Sequence, residues 1–103
     1  MARRISWAPI AWRDLEFAAD YIARDSPRYA AALVREARDA SRALATFAER
    51  GRIVPELDSG EIRELLVGNY RMIYRVREDA VNILAFVHGA RDLAAVWKET
   101  PHD

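Results

Sequence analysis

The sequence predicts an α+β fold: an N-terminal strand, an α-helical hairpin, then a three-stranded antiparallel meander packed against the helices, with a short C-terminal helix after it. Three observations carry this. Residues 61–93 hold three runs rich in Ile, Val, Leu, Phe, Tyr and Met, each near the common strand length of ~5–6 residues. Upstream, two stretches repeat apolar residues at helical spacing and meet at Ser26-Pro27. Between the first two apolar runs, Gly68-Asn69 is a two-residue hairpin signal. Gly supplies the positive φ that a primed turn needs at its first central position.

In chain order, residues 3–7 (RRISW) read as a first strand. Pro9 then fits the first turn of a helix, where its missing N–H costs nothing. That helix is expected over residues 9–25, with Ala11, Leu15, Ala18 and Ile22 as its stripe and Phe17 and Tyr21 broadening it. Arg13, Glu16, Asp20 and Arg24 take the other side, and Asp20–Arg24 has the i,i+4 spacing of an ion pair. Ser26 serves as N-cap and Pro27 as first residue of helix two. Its stripe is Ala30, Leu33, Ala37, Ala40, Leu44 and Phe47, which carries it to Phe47 or Ala48. Arg28, Arg35, Arg38, Asp39 and Arg42 fall outside that stripe. So tight a junction makes an antiparallel helical hairpin, and its many alanines allow close packing. Gly51 reads as a left-handed helix stop. Residues 52–60 read as an irregular connection, because Pro55 argues against a central strand. The segment 81–87 is the third meander strand, 90–99 the last short helix, and 100–103 a frayed end.

The hairpin sets a register. With Gly68 and Asn69 in the loop, Val67 faces Tyr70, Leu65 faces Met72 and Arg63 faces Tyr74. Period 2 then puts Tyr70, Met72, Tyr74 and Val76 on the core face with Leu65 and Val67. Ile62, Glu64, Leu66, Arg71, Ile73 and Arg75 take the opposite face, where Glu64 lies diagonal to two arginines and an ion pair is expected. The third run is apolar on both faces, which calls for cover on both sides, by protein or by a partner.

Composition bounds the function. The chain has 103 residues, read as a single domain over 1–103. At 51% hydrophobic and 31% charged it is globular in type, not disordered. No apolar run reaches the ~18–20 residues of a membrane span, and no apolar signal segment opens the chain, so a cytoplasmic protein is expected. The absence of cysteine excludes disulfides and thiolate metal sites. Sixteen basic residues balance sixteen acidic ones, so the total offers no basic excess for nucleic acid, and direct nucleic-acid binding is not expected. Fifteen of the sixteen cations are arginine.

Little of the chain has catalytic patterning. His88 and His102 are the only histidines, without ligand spacing, so no metal and no cofactor is expected. No phosphate loop and no nucleophile elbow is present. The stronger set is Arg63, Arg71, Arg75, Arg77 and Arg91, all on or beside the meander. Read plainly, these form a solvated face paired to Glu64, Glu78 and Asp79. Read functionally, they converge as a site for carboxylate, phosphate or a protein partner.

The order of motifs, ISW, then DLE, ADYIARDSP, FAERGRIVPEL, IREL, NYRMIYRV and HGARDL, resembles the RelE/ParE toxin superfamily of bacterial type II toxin–antitoxin systems, from about Ile5 to Leu93. The resemblance implies the fold already read from patterning. It also implies one of two activities. RelE-like members are ribosome-dependent mRNA endonucleases; ParE-like members, the plasmid-stabilisation type, are associated with inhibition of DNA gyrase. The nuclease branch carries lysines on the strand before the hairpin and a tyrosine near the C-terminus. Here that strand offers Arg63 and Glu64, and Trp97 stands in the tyrosine's place; Arg71 and Arg91 match.

Metal-free RNA cleavage needs one group to take a proton and another to give one. Trp only donates, and Arg stays protonated. Glu64 is the one base left, and flanking cations weaken it as a base. The ParE-like branch is therefore preferred: a toxin that disables a target, implied to be gyrase, by binding, and is neutralised by a cognate antitoxin in a hetero-oligomer. The expected target-binding residues are Arg63, Arg71, Arg75, His88, Arg91 and Trp97. The expected antitoxin-binding residues are Phe17, Tyr21 and Tyr29, with the doubly apolar third strand as a further candidate. The alternatives are an mRNA endonuclease using Arg63, Glu64, Arg71 and Arg91, and an inactive protein that keeps the toxin fold.

Overall fold

The structure, a computed structural model, describes residues 2–57 and 59–99. His102 and the expected fraying of 100–103 lie outside the described residues. β1 (Arg4–Trp7) leads into α1 (Pro9–Ala23) and α2 (Pro27–Ala43); β2 (Arg52–Ile53), β3 (Ile62–Val67), β4 (Tyr70–Val76), β5 (Ala80–His88) and α3 (Leu93–Glu99) follow. The strands form one sheet in the order β1-β5-β4-β3-β2. No helix among the described residues is long and apolar enough to cross a membrane.

The helical hairpin forms where the punctuation puts it. Pro9 opens α1, and Ser26 Oγ accepts the Tyr29 N–H as the N-cap of α2. Ala11, Leu15 and Ala18 are buried, as are Ala30, Leu33 and Ala37. Three helical details differ from expectation. Phe17 and Tyr21 do not widen the buried stripe but stand in solvent. Arg24 lies over the Tyr21 ring, its guanidinium carbon 5.7 Å from the centroid, and makes no ion pair with Asp20. α2 ends at Ala43, and successive turns then carry Phe47 out to solvent.

The β3–β4 hairpin has the expected register: Val67 faces Tyr70, Leu65 faces Met72 and Arg63 faces Tyr74. Gly68 has φ 59°, and among the described residues no non-glycine has positive φ, which suits a turn needing positive φ only at its first central position. Between β4 and β5 the register shifts: Ile73 faces Ala85 while Tyr74 faces Ile83, so Leu84 is the extra residue. This bulge reverses the alternation of β5. Val81, Ile83 and Phe86 thus all join the helix-side core with Met72, Tyr74, Leu15 and Leu44. Ala85 and Val87 join a second, smaller core on the other face with Val54, Ile62, Ile73 and Leu93.

Two long-range pairings were not expected. β1 runs parallel to β5, with Ile5 opposite Val81 and Trp7 opposite Ile83. Residues 52–53, read as irregular, form an edge strand against β3 that ends before Pro55. β5 is therefore interior to the sheet as far as Ile83, and its faces are covered by the two cores, so neither face is an exposed strip for a partner. α3 starts at Leu93, later than residue 90, because Asp92 Oδ1 accepts from the N–H groups of Ala94 and Ala95.

Gly51 is needed for space and not for handedness. Its N–H donates to the buried Tyr74 hydroxyl at 2.8 Å, and that hydroxyl donates to the Ala48 carbonyl at 2.9 Å. A methyl group at Gly51 would press into the Glu64 carbonyl and lie 2.5 Å from the Tyr74 oxygen. Gly51→Ala is expected to destabilise the fold by about 1–3 kcal/mol, seen as a lower denaturation midpoint. Gly60→Ala, with open space around it, is the matched control.

Candidate functional site

The described structure does not gather the meander arginines. It sorts Arg63, Arg71, Arg75 and Arg91 onto three surfaces and leaves Arg77 exposed in the β4–β5 turn. Arg71 leaves β4 on the face away from the helices, and its side chain is 8% exposed. Its Nε donates to Glu64 at 2.5 Å, and its Nη1 and Nη2 donate to both oxygens of Glu56 at 2.8 and 2.7 Å. The second Glu64 oxygen accepts from Arg52 Nε at 2.5 Å, and the Glu64 side chain is 1% exposed. The ion pair expected at Glu64 is present, with Arg52 and not Arg75 as the second cation. Arg75 is half-buried on the same face, and its Nε has no acceptor among the described residues. Trp97, on α3, packs half-buried against the second core. Arg63 turns to the sheet edge, where Nη1 donates to the carbonyls of Gly51 at 2.8 Å and Glu49 at 3.4 Å.

The buried network has an acid-stability consequence. Hydrogen bonds from Arg71 draw the Glu56 carboxyl from 4.5 down to about 2, and Arg71 is itself raised, chiefly by Glu56. A lowered carboxyl stabilises the folded chain fully above its unfolded value, and this contribution is lost as pH falls from 4.5 through about 2. Glu56 is over a third exposed, so solvent screening holds the effect to about 1 kcal/mol or less. The stability difference between wild type and Glu56→Gln should shrink as denaturation is moved from about pH 6 to about pH 3.

His88 and Arg91 lie elsewhere, at the C-terminal end of β5, where they meet Phe17 and Tyr21 of α1. β1 pairs with β5 only as far as Ile83, after which the chain turns into α1. The open edge beyond Ile83 is faced by α1, and a cleft of about 680 Å³ lies there. Ile10, Asp14, Phe17, Ala18, Tyr21, Tyr70, Phe86, Val87, His88, Arg91 and Val96 line it. Phe17 and Tyr21 are 66% and 64% exposed, one helical turn apart. Tyr70 stacks on Phe86 with centroids 5.0 Å apart and meets the His88 ring edge-on at 5.2 Å. His88 Nδ1 accepts the Ala90 N–H at 3.1 Å, which fixes the imidazole at the turn.

Asp14, Tyr70 and Phe86 were not singled out from the sequence. Asp14 shows a signal in retrospect, since it shares the spacing of Phe17 and Tyr21 along α1. Burial pushes its carboxyl above the ordinary value; the Phe86 backbone and the charges of Arg91 and Arg13 pull the other way. Tyr29, 70% exposed, borders a neighbouring cavity of about 340 Å³ with Ile22, Leu33, Gly68 and Asn69. Tyr70, on β4, lines both cavities and so joins the cleft of Phe17 and Tyr21 to the one beside Tyr29.

This arrangement suits binding. Its walls are aromatic, its rim carries Arg91 and His88, and the rings of Phe17 and Tyr21 are mostly exposed. Among the described residues no three His, Asp or Glu side chains cluster as metal ligands would.

Solved structures share this fold. The chromosomal ParDE toxin–antitoxin system from P. aeruginosa matches over 84% of this chain and 96% of its own, at 21% identity and TM-score 0.68. The toxin–antitoxin complex RelBE2 from Mycobacterium tuberculosis matches over 88% of this chain and 95% of its own, at 24% identity and TM-score 0.58. A search of curated proteins gives no match. Residues 5–93 match the family model described as the ParE toxin of the type II toxin–antitoxin system parDE, and the chain belongs to that family.

Proposed function

We propose that the protein is a toxin that acts by binding, and that one cleft serves both its target and its antitoxin. The observation that carries this is the meeting of Phe17 and Tyr21 with His88 and Arg91 around a single cavity. An antitoxin segment laid along Phe17, Tyr21 and Tyr29 would cover the rim on which the target contacts His88 and Arg91. Neutralisation is then occupancy of the same surface. DNA gyrase is the target that the family resemblance implies. Both similar structures are toxin–antitoxin systems, which supports a protein antitoxin as the partner here.

The endonuclease alternative draws less support. It asks Glu64 to move a proton, yet both Glu64 oxygens are held by arginines and the side chain is sealed from solvent. Arg71, the cation it would need beside the transcript, is held by two carboxylates.

Expression of the chain alone should arrest growth, and co-expression with a small reading frame found next to its gene should relieve the arrest. In a purified supercoiling assay gyrase should be inhibited, with Arg91→Ala weakening inhibition by up to about fivefold, the cost of one exposed charge of ~1 kcal/mol. Codon-specific transcript cleavage on translating ribosomes, lost in Arg91→Ala, would instead establish the endonuclease.

A further inference from the structure

We propose that the outer face of α2 docks on the backbone of double-stranded DNA. This stands apart from the cleft and does not depend on the antitoxin. Arg28, Arg35, Arg38 and Arg42 follow one another at spacings of seven, three and four, which sets them along one side of the helix. All four are exposed. From residue 28 to residue 42 the stripe spans about 21 Å at ~1.5 Å per residue. Ala31 fills the one gap, so no bulky side chain holds an approaching surface away.

The stripe is poorly neutralised. Asp39 approaches Arg42 at 3.6 Å, but both side chains are about two-thirds exposed, and such a pair contributes little. Glu36 belongs to the other flank, where it lines the cavity beside Tyr29 and Asn69. Among the described residues Arg28, Arg35 and Arg38 have no ion-pair partner. The zero net charge, which argued against phosphate binding, hides this local excess.

Charge complementarity selects a polyanion, and shape selects which one. A protein interface needs a broad apolar centre; along this stripe only Ala31 and the half-buried Val34 offer one, in a cavity of about 500 Å³ that they share with Arg35, Arg38, Asp39 and Arg42, and the Trp7–Trp12 pair flanks only the Arg38–Arg42 end. Phosphate contacts need only guanidinium forks and close approach. A convex helix enters the major groove of B-form DNA, ~12 Å wide, whereas the deep, narrow major groove of A-form RNA excludes it.

The test is salt-dependent binding of the full chain to a labelled DNA duplex of about 20 base pairs. Four neutralised phosphates predict a slope of log K against log salt of about −3.6, or roughly a 150-fold loss between 50 and 200 mM salt. Each single Arg→Gln change in the stripe should make the slope shallower by about 0.9, and the Arg35→Gln/Arg38→Gln/Arg42→Gln triple should bring it to about −1. Phe17→Ala should leave it unchanged. At these exposed sites Gln should leave the melting temperature unchanged, which is read alongside. Duplex RNA of equal length and poly-glutamate should both bind more weakly than DNA. No binding at low salt, or a slope indifferent to the triple change, overturns the proposal. RNA binding at least as tightly, or poly-glutamate matching DNA, overturns it in favour of another partner.

Discussion

Arg71→Met is expected to lower the unfolding free energy by about 3–5 kcal/mol, the largest effect of any single change considered. The reason is what the substitution leaves behind. Glu56 can turn its carboxylate to water, being partly exposed, but Glu64 cannot. It would remain buried, held only by Arg52, whose own side chain is mostly in solvent. Replacing both charges, as Arg71→Met with Glu64→Leu, should recover much of the loss, because two apolar groups on that face extend the core of Ile62, Ile73 and Val87. Chemical denaturation of the two singles and the double completes the cycle. A loss under about 1 kcal/mol for Arg71→Met would mean that the network is hydrated and adds little to the fold.

Phe17→Ala with Tyr21→Ala should cut antitoxin affinity by about a hundredfold or more while leaving the fold intact. Central aromatic anchors each cost ~2 kcal/mol or more on truncation, and exposed positions rarely shift stability by more than ~0.5 kcal/mol. Calorimetric titration of the purified pair, with melting temperature alongside, separates the two. The same double change should weaken gyrase inhibition as well, if one cleft takes both partners. Affinity unchanged in the double variant but lost in Tyr29→Ala would move the antitoxin to the neighbouring cavity and leave the cleft to the target alone.

How much of this could be read beforehand follows the range of each interaction. The hairpin register was legible because it is local: one glycine of positive φ and a period of two decide it. Ser26-Pro27 was legible for the same reason. Parallel pairing of β1 with β5 was not, since nothing near Ile5 says that its partner is Val81. Nor was the Leu84 bulge, which looks like one more residue in an apolar run. The site divides in the same way. Arg71 and Glu64 were recognised as neighbours, but Glu56 and the cover of Val54 and Leu93 come from distant segments, so a surface face and a sealed one looked alike. Phe17 and Tyr21 sit at the edge of the apolar stripe, where helical spacing alone does not decide between core and solvent. The structure leaves them bare because β5 offers only an open end to that side of α1.

The sheet's strand order has a consequence for synthesis. Ser6 is bonded to Asn82, 76 residues away in sequence, so during translation the first strand waits for the last. At ~5–20 residues per second that interval is roughly 4–15 s, during which the helices have no completed platform to rest on. On the function proposed above, a nascent chain lacks its binding cleft until its final hairpin emerges. A partner made just beforehand would have those seconds to be at hand when the poison takes shape.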